Sequence, residues 1–83
     1  MKPIEVHGAI RSQVRALRAA NKQPYAVVLG SVPHEAVSGE IQGRTLSIID
    51  PDNSDERHTT LLPLRVERSD SEDEIRVRAL AEL

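Results

Sequence analysis

The 83-residue chain has no cysteine, phenylalanine or tryptophan, one tyrosine (Tyr25) and one methionine (Met1). Lacking cysteine, it has no disulfide, no thiolate chemistry and no sulfur-ligated zinc or iron site, and its redox compartment is left undecided. Lacking large aromatics, it has little with which to wall a pocket for paired catalytic carboxylates or to stack unpaired bases. Glycine is scarce, and Gly39-Glu40-Ile41-Gln42-Gly43 has too few glycines and the wrong flanks for a dinucleotide or phosphate loop. No apolar run approaches the roughly 18 residues of a membrane span, and no signal-peptide core opens the chain. The expectation is a soluble, cytoplasmic protein with no membrane partner.

What is present suits one small domain over residues 1–83, with a thin core of Val, Ile, Leu and Ala. A chain this short buries only about 60–65% of its unfolded surface, so a second copy or another partner covering an apolar face would add stability. The net charge of −2 conceals a dipole: residues 1–44 carry six Lys/Arg against three Glu, and residues 45–83 five Arg against ten Asp/Glu. Such a balance neither demands nor forbids a nucleic-acid partner.

Apolar residues at Ile10, Val14 and Leu17 follow a helical period, and the spacing predicts a helix over 9–21 that Pro24 brings to a stop. Pro3 to His7 alternates like a short strand ending at Gly8. Pro24 to Leu29 reads as a buried strand, and Ser31-Val32-Pro33-His34 as a turn. Residues 35–42 and 44–49 read as a hairpin about Gly43, residues 50–57 as a solvated connection, and residues 59–66 as a strand with Leu62, Leu64 and Val66 on one face. Pro63 on the opposite face predicts a free edge at that point. Residues 74–80 form the cleanest strand, with Ile75, Val77 and Ala79 inward and Arg76 and Arg78 outward. The expected fold is α+β: an N-terminal helix followed by a meander of about five short antiparallel strands curling into a small barrel. The alternative is a flatter four-stranded sheet with the helix across it.

The residues that stand out chemically are Arg11, Arg15, Arg18 and Lys22, spaced i, i+4, i+7, i+11 along one line of the helix, with no acidic residue between Gly8 and Val32. Four cations in line can track phosphates or an acidic protein surface. The plain alternatives are a solvated helix face and a stripe neutralised by the molecule's own acidic turns. The run Asp50-Pro51-Asp52-Asn53-Ser54-Asp55-Glu56 spaces oxygen ligands like the start of a calcium loop. It then puts Asp55 where the sixth-position glycine belongs and Leu61 where the bidentate glutamate belongs, so it reads as a solvated turn, as does the acidic turn at residues 69–73. His7, His34 and His58 lack the close spacing of a zinc site. No Gly-framed nucleophile turn accompanies Ser, His and Asp, so catalysis, metal and cofactor are not expected.

Val37-Ser38-Gly39-Glu40-Ile41 followed by Leu46-Ser47-Ile48-Ile49-Asp50, after a helix and a first strand, resembles the opening half of Sm-like RNA-binding small barrels over about a third of the chain. The resemblance implies a barrel, ring assembly and RNA contact. The Asp and Asn that such proteins turn on RNA have no counterpart between Gly43 and Leu46. The function expected first is a non-enzymatic interaction or regulatory module that binds a protein partner through Arg11, Arg15, Arg18 and Lys22. The alternatives are an RNA- or DNA-binding small barrel using the same helix on phosphates, and a subunit whose homo-oligomer is the functional form.

Overall fold

In the computed structural model, which describes residues 1–55 and 57–80, the elements run α1 (Pro3–Ala19), β1 (Pro24–Leu29), α2 (Ser31–Val37), a 3₁₀ turn (Ser38–Glu40), β2 (Thr45–Ile49), β3 (Leu61–Arg68) and β4 (Ile75–Ala79). Pro3 occupies the first helical position of α1, where its missing N–H costs nothing, and the Lys2 N–H reaches Glu5 Oε1 at 3.4 Å. Residues 3–8 are therefore helical and not the strand that alternation suggested. Placing Val6 below Ile10 and Val14 gives a fully buried i, i+4, i+8 line, and that burial outweighs the cost of Gly8 inside the helix. A Cβ built on Gly8 meets nothing within 4 Å. Gly8→Ala is thus expected to stabilise the protein by about 0.7–1 kcal/mol and raise Tm by several degrees, read by thermal denaturation.

The carboxyl end of α1 closes as a Schellman motif. Asn21 takes a left-handed φ of 59°, its N–H reaches Arg18 O at 3.0 Å, and the Lys22 N–H reaches Leu17 O at 2.9 Å. After β1 the chain forms a helix where turn and strand were expected. Gly30 is the N-cap of α2, and Pro33 sits at its third position, still within the turn whose N–H groups lack intrahelical acceptors. Pro33 and Val37, one helical turn apart, both face the core.

The sheet is open, mixed and four-stranded, in the order β2-β3-β1-β4. It replaces the five-stranded antiparallel barrel with the flatter arrangement. β1 and β3 are parallel (Val27↔Val66), while β4 and β2 are antiparallel to β1 and β3 respectively (Val27↔Val77, Leu46↔Leu64). β3 and β4 thus flank β1, joined by the acidic turn at residues 69–73 passing across its end. There the Gly30 N–H donates to Glu74 O at 2.9 Å, the Val32 N–H to Glu72 O at 3.0 Å and the Ser69 N–H to Leu29 O at 3.0 Å. The expected hairpin about Gly43 (φ 63°) survives only as the Gln42↔Thr45 bridge, because residues 35–40 are helical. The β3 register with β1 starts at Arg65, two residues beyond Pro63, so the missing proline N–H falls where the strand is paired only with β2, as expected.

Both helices pack on one face of the sheet. Val6, Ile10 and Val14 of α1 and Val37 of α2 close over Val27, Leu29, Leu46, Ile48, Leu64 and Val77. On the other face Ala26 lies between Arg65 and Arg78, and Val28 between Glu67 and Arg76. An ion pair between Arg78 and Glu67 straps diagonally across β1, and both small residues are buried.

Candidate functional site

The structure divides the basic stripe into residues of different kinds. Arg18, in the last turn of α1, grips Asp50 with both terminal nitrogens, Nη1 to Oδ1 at 2.7 Å and Nη2 to Oδ2 at 2.8 Å, and Nη1 also reaches Asp52 Oδ2 at 2.7 Å. Asp50 is only 3% exposed, which corrects the reading of residues 50–57 as wholly solvated. Its carboxylate also accepts the Asp52 N–H at 2.9 Å, the Asn53 N–H at 3.2 Å and Asn53 Nδ2 at 3.3 Å. The Arg18 guanidinium, aided by these donors and opposed by burial, holds the Asp50 carboxyl far below the usual carboxylate range. Arg15 donates to Pro51 O at 3.2 Å and lies 3.9 Å from Asp52.

The acidic turn is therefore an internal counter-ion for the middle of the stripe, Arg15 and Arg18, and the Asp50 and Asp52 oxygens that resembled calcium ligands are occupied by a guanidinium. Arg11 and Lys22 have no side-chain partner among the described residues, and they stand eleven residues apart at opposite ends of the line. Arg11 and Arg15 line an open groove of about 580 Å³ between α1 and the loop that follows β2, with Ser12, Ile49 and Ser54.

The two sheet edges are treated differently. On β4, the Gly30 N–H to Glu74 O rung fixes the alternation, so Ile75 and Val77 turn their peptide groups away from β1. Gln13 of α1 meets both: Nε2 donates to Ile75 O at 2.6 Å, and Oε1 accepts the Val77 N–H at 2.7 Å. One carboxamide thus stands in for the peptide group of a neighbouring strand and blunts that edge. Gln13 was not singled out in the sequence, although a signal was there: it lies at i+7 from Val6 and i+3 from Ile10, a polar residue inside the apolar stripe.

On β2, the rungs Val66 N–H to Arg44 O (2.7 Å) and Asp50 N–H to Thr60 O (2.8 Å) place Thr45, Ser47 and Ile49 outward. Thr45 is paired with Gln42, whereas Ser47 and Ile49 have no strand beyond them among the described residues. Depressions of about 490 and 410 Å³ flank this edge, one with Ile4, His7, Arg11 and Ile49, the other with Thr45 and Leu61; both include Glu40 and Ser47. Ile4, Ile49 and Leu61 are among the exposed large hydrophobics at 72%, 45% and 58%.

The histidines do not converge. His7 Nε2 lies 2.7 Å from Glu40 Oε1, His34 is on α2, and the His58 N–H, with that of Arg57, donates to Asp55 in the loop before β3. No group of three or more His, Asp or Glu suited to a metal is found among the described residues. No helix among them is long and apolar enough to cross a membrane.

Comparison with protein-family models, curated proteins and solved structures gives no match for this chain. The resemblance to Sm-like barrels is not carried by the fold, since residues 37–40 lie in a helix end and a 3₁₀ turn and the sheet is open.

Proposed function

We propose that the chain is a small non-enzymatic interaction module that takes an extended, acidic segment of a protein partner along β2, and so occludes or bridges that partner. The observation that carries this reading is the contrast between the edges: β4 is capped by Gln13, whereas β2 offers the open peptide groups of Ser47 and Ile49 beside Ile4, Ile49 and Leu61. A strand added there would gain main-chain hydrogen bonds for affinity and apolar contacts for fit. Arg11, unpaired, and Arg15, mostly solvated, lie at the rim and supply charge complementarity for carboxylates on the incoming segment. The contact thus shifts from the whole stripe to its first half. Arg18 is structural, and Lys22 lies at the far end of α1, lining a separate depression with Asn21 and Leu62. The alternative, nucleic-acid phosphates on the same helix, has fewer cations to use, because Arg18 is committed to Asp50 and Arg15 is shared with Asp52.

The test is selection of short displayed peptides on the immobilised full chain, with affinities then measured by fluorescence polarisation. Selected peptides are expected to be acidic and strand-forming, and to lose about tenfold or more in affinity on Ser47→Pro and on Arg11→Glu. Ser47→Pro removes an outward N–H while leaving the rungs to β3 in place. Peptides that bind both variants as tightly as the native chain would overturn the reading. So would single-stranded RNA binding that falls steeply with salt, is lost in Arg11→Glu and is untouched by Ser47→Pro.

A further inference from the structure

Four of the nine arginines, Arg15, Arg18, Arg76 and Arg78, are paired with carboxylates. Of the other five, three line a single cleft of about 450 Å³ where β3 runs past the start of β2: Arg44, Arg65 and Arg68, joined by His34 of α2. None of the three side chains has an ion pair or hydrogen bond among the described residues. The one carboxylate among the described lining residues, Glu67, is engaged by Arg78. A shortage of acids does not explain this, because the chain carries 13 acidic against 11 basic side chains. Arg65 belongs to the opposite face of the sheet, beside Ala26, so the guanidiniums on the helix face of this cleft are those of Arg44 and Arg68, next to His34. Two like charges without a counter-ion among the described residues are unfavourable by mutual repulsion, and a bound anion relieves it.

The backbone contributes as well. The β2–β3 ladder ends at the Val66 N–H to Arg44 O rung (2.7 Å), and Arg68, two residues further on, has no β2 residue opposite. By the alternation of the strand its peptide group turns to the same side as that of Val66, into the cleft. At the opposite wall the left-handed Gly43 holds the approach to β2 close and leaves it without a side chain.

We propose that this cleft is an anion site for the phosphate group of a small phosphorylated ligand. Guanidinium forks match phosphate oxygens bidentately, and two of them, Arg44 and Arg68, beside the outward Arg68 N–H favour an anion of more than one charge over a single carboxylate. The cleft is local, so it suits a terminal phosphate or diphosphate and not a phosphate track. It is distinct from the β2 edge and does not depend on the peptide-docking reading.

The experiment is an amide and arginine side-chain NMR titration of the full chain with inorganic phosphate, pyrophosphate, a nucleoside diphosphate, sulfate and a short single-stranded RNA, at constant ionic strength. Saturable shifts are expected at Gly43, Arg44, His34 and residues 65–68. Pyrophosphate and the nucleoside diphosphate should bind about tenfold tighter than phosphate, from the added charge. The pair Arg44→Gln and Arg68→Gln, both at exposed positions, should abolish the shifts with folding unchanged by circular dichroism, while Arg11→Gln, an unpaired arginine elsewhere, should leave them intact. Non-saturating shifts, an equal response to sulfate, or persistence in the Arg44/Arg68 variant would overturn the site. So would a response to the RNA alone, with phosphate and pyrophosphate silent.

Discussion

Replacing Gly30 with alanine is expected to cost most of the stability of this protein. The backbone there has φ −71° and ψ 174°, which any residue adopts, so the demand is for space and not for a special conformation. A Cβ at Gly30 would fall 1.9 Å from Ser71 O and 2.4 Å from Glu72 O. Both are main-chain atoms of the turn that carries the chain from β3 across the end of β1 to β4, so no rotamer change relieves the overlap. The turn must lift away, which strains the bonds of Ser69 to Leu29, Gly30 to Glu74 and Val32 to Glu72. Overpacking of about 1–3 kcal/mol and about 1 kcal/mol for each of the three main-chain bonds lost give a total of about 4–6 kcal/mol, comparable with the whole stability of a domain this small. Urea denaturation followed by circular dichroism measures it. A Gly30→Ala midpoint within about 1 kcal/mol of the native value would show that the turn is not held against β1. Gly39→Ala, where a Cβ meets nothing within 4 Å, serves as the control and should be close to neutral.

The second large effect is expected at the buried ion pair. Arg18→Ala would leave the Asp50 carboxylate buried without its guanidinium, at a cost of about 3 kcal/mol at neutral pH. The pH dependence separates this from lost packing. In the native protein the folded-state pKa of Asp50 lies well below its unfolded value, near 3.8. Its contribution is fully present above about pH 5 and is lost as the pH falls through the unfolded value toward the folded one. In Arg18→Ala the same buried carboxyl keeps the Asp52 and Asn53 donors but loses its counter-ion, so its pKa rises relative to the native protein and protonation relieves the penalty. The stability gap between the two proteins should therefore be widest near pH 7 and close toward pH 2. Asp50→Asn should flatten the acid limb of the native curve. A gap independent of pH would assign the cost of Arg18→Ala to packing alone. Asp55 and Glu74 are also held below the usual range, Asp55 by the N–H groups of His58 and Arg57 and Glu74 by the Ser69 hydroxyl and Arg76, so they shift in the same direction.

Elements whose signal is local were legible. The apolar period of α1 placed its body and carboxyl end but not its first six residues, and the continuous run of β1 and the alternation of β2, β3 and β4 each placed an element within about two residues of where it lies, because burial of one face imposes the period directly. The local reading failed where two conformations share a pattern. Residues 3–8 alternate, yet Val6 is also four residues before Ile10, and packing chose the helix. Pro33 and Val37 fit a turn and a strand as well as a short helix, and the need for a crossover between parallel β1 and β3 favours the helix.

The candidate site was legible in part. The sequence placed Arg11, Arg15, Arg18 and Lys22 on one line of one helix, and it contained the possibility that the acidic turns neutralise them. Which of the four are neutralised depends on where the loop after β2 returns, a contact between residues 32 positions apart. The open edge of β2, the Gln13 cap on β4 and the cleft of Arg44, Arg65 and Arg68 arise only when strands distant in sequence are put side by side. By itself, then, the sequence determined the composition of the core, the period of most elements, the absence of sulfur chemistry and the asymmetry of charge, all of which are sums or short-range patterns. The tertiary structure alone decided strand order, the threading of β1 between β3 and β4 that makes Gly30 indispensable, and which charged groups are buried partners and which face solvent. Those depend on pairings of long sequence separation, and no local pattern encodes them.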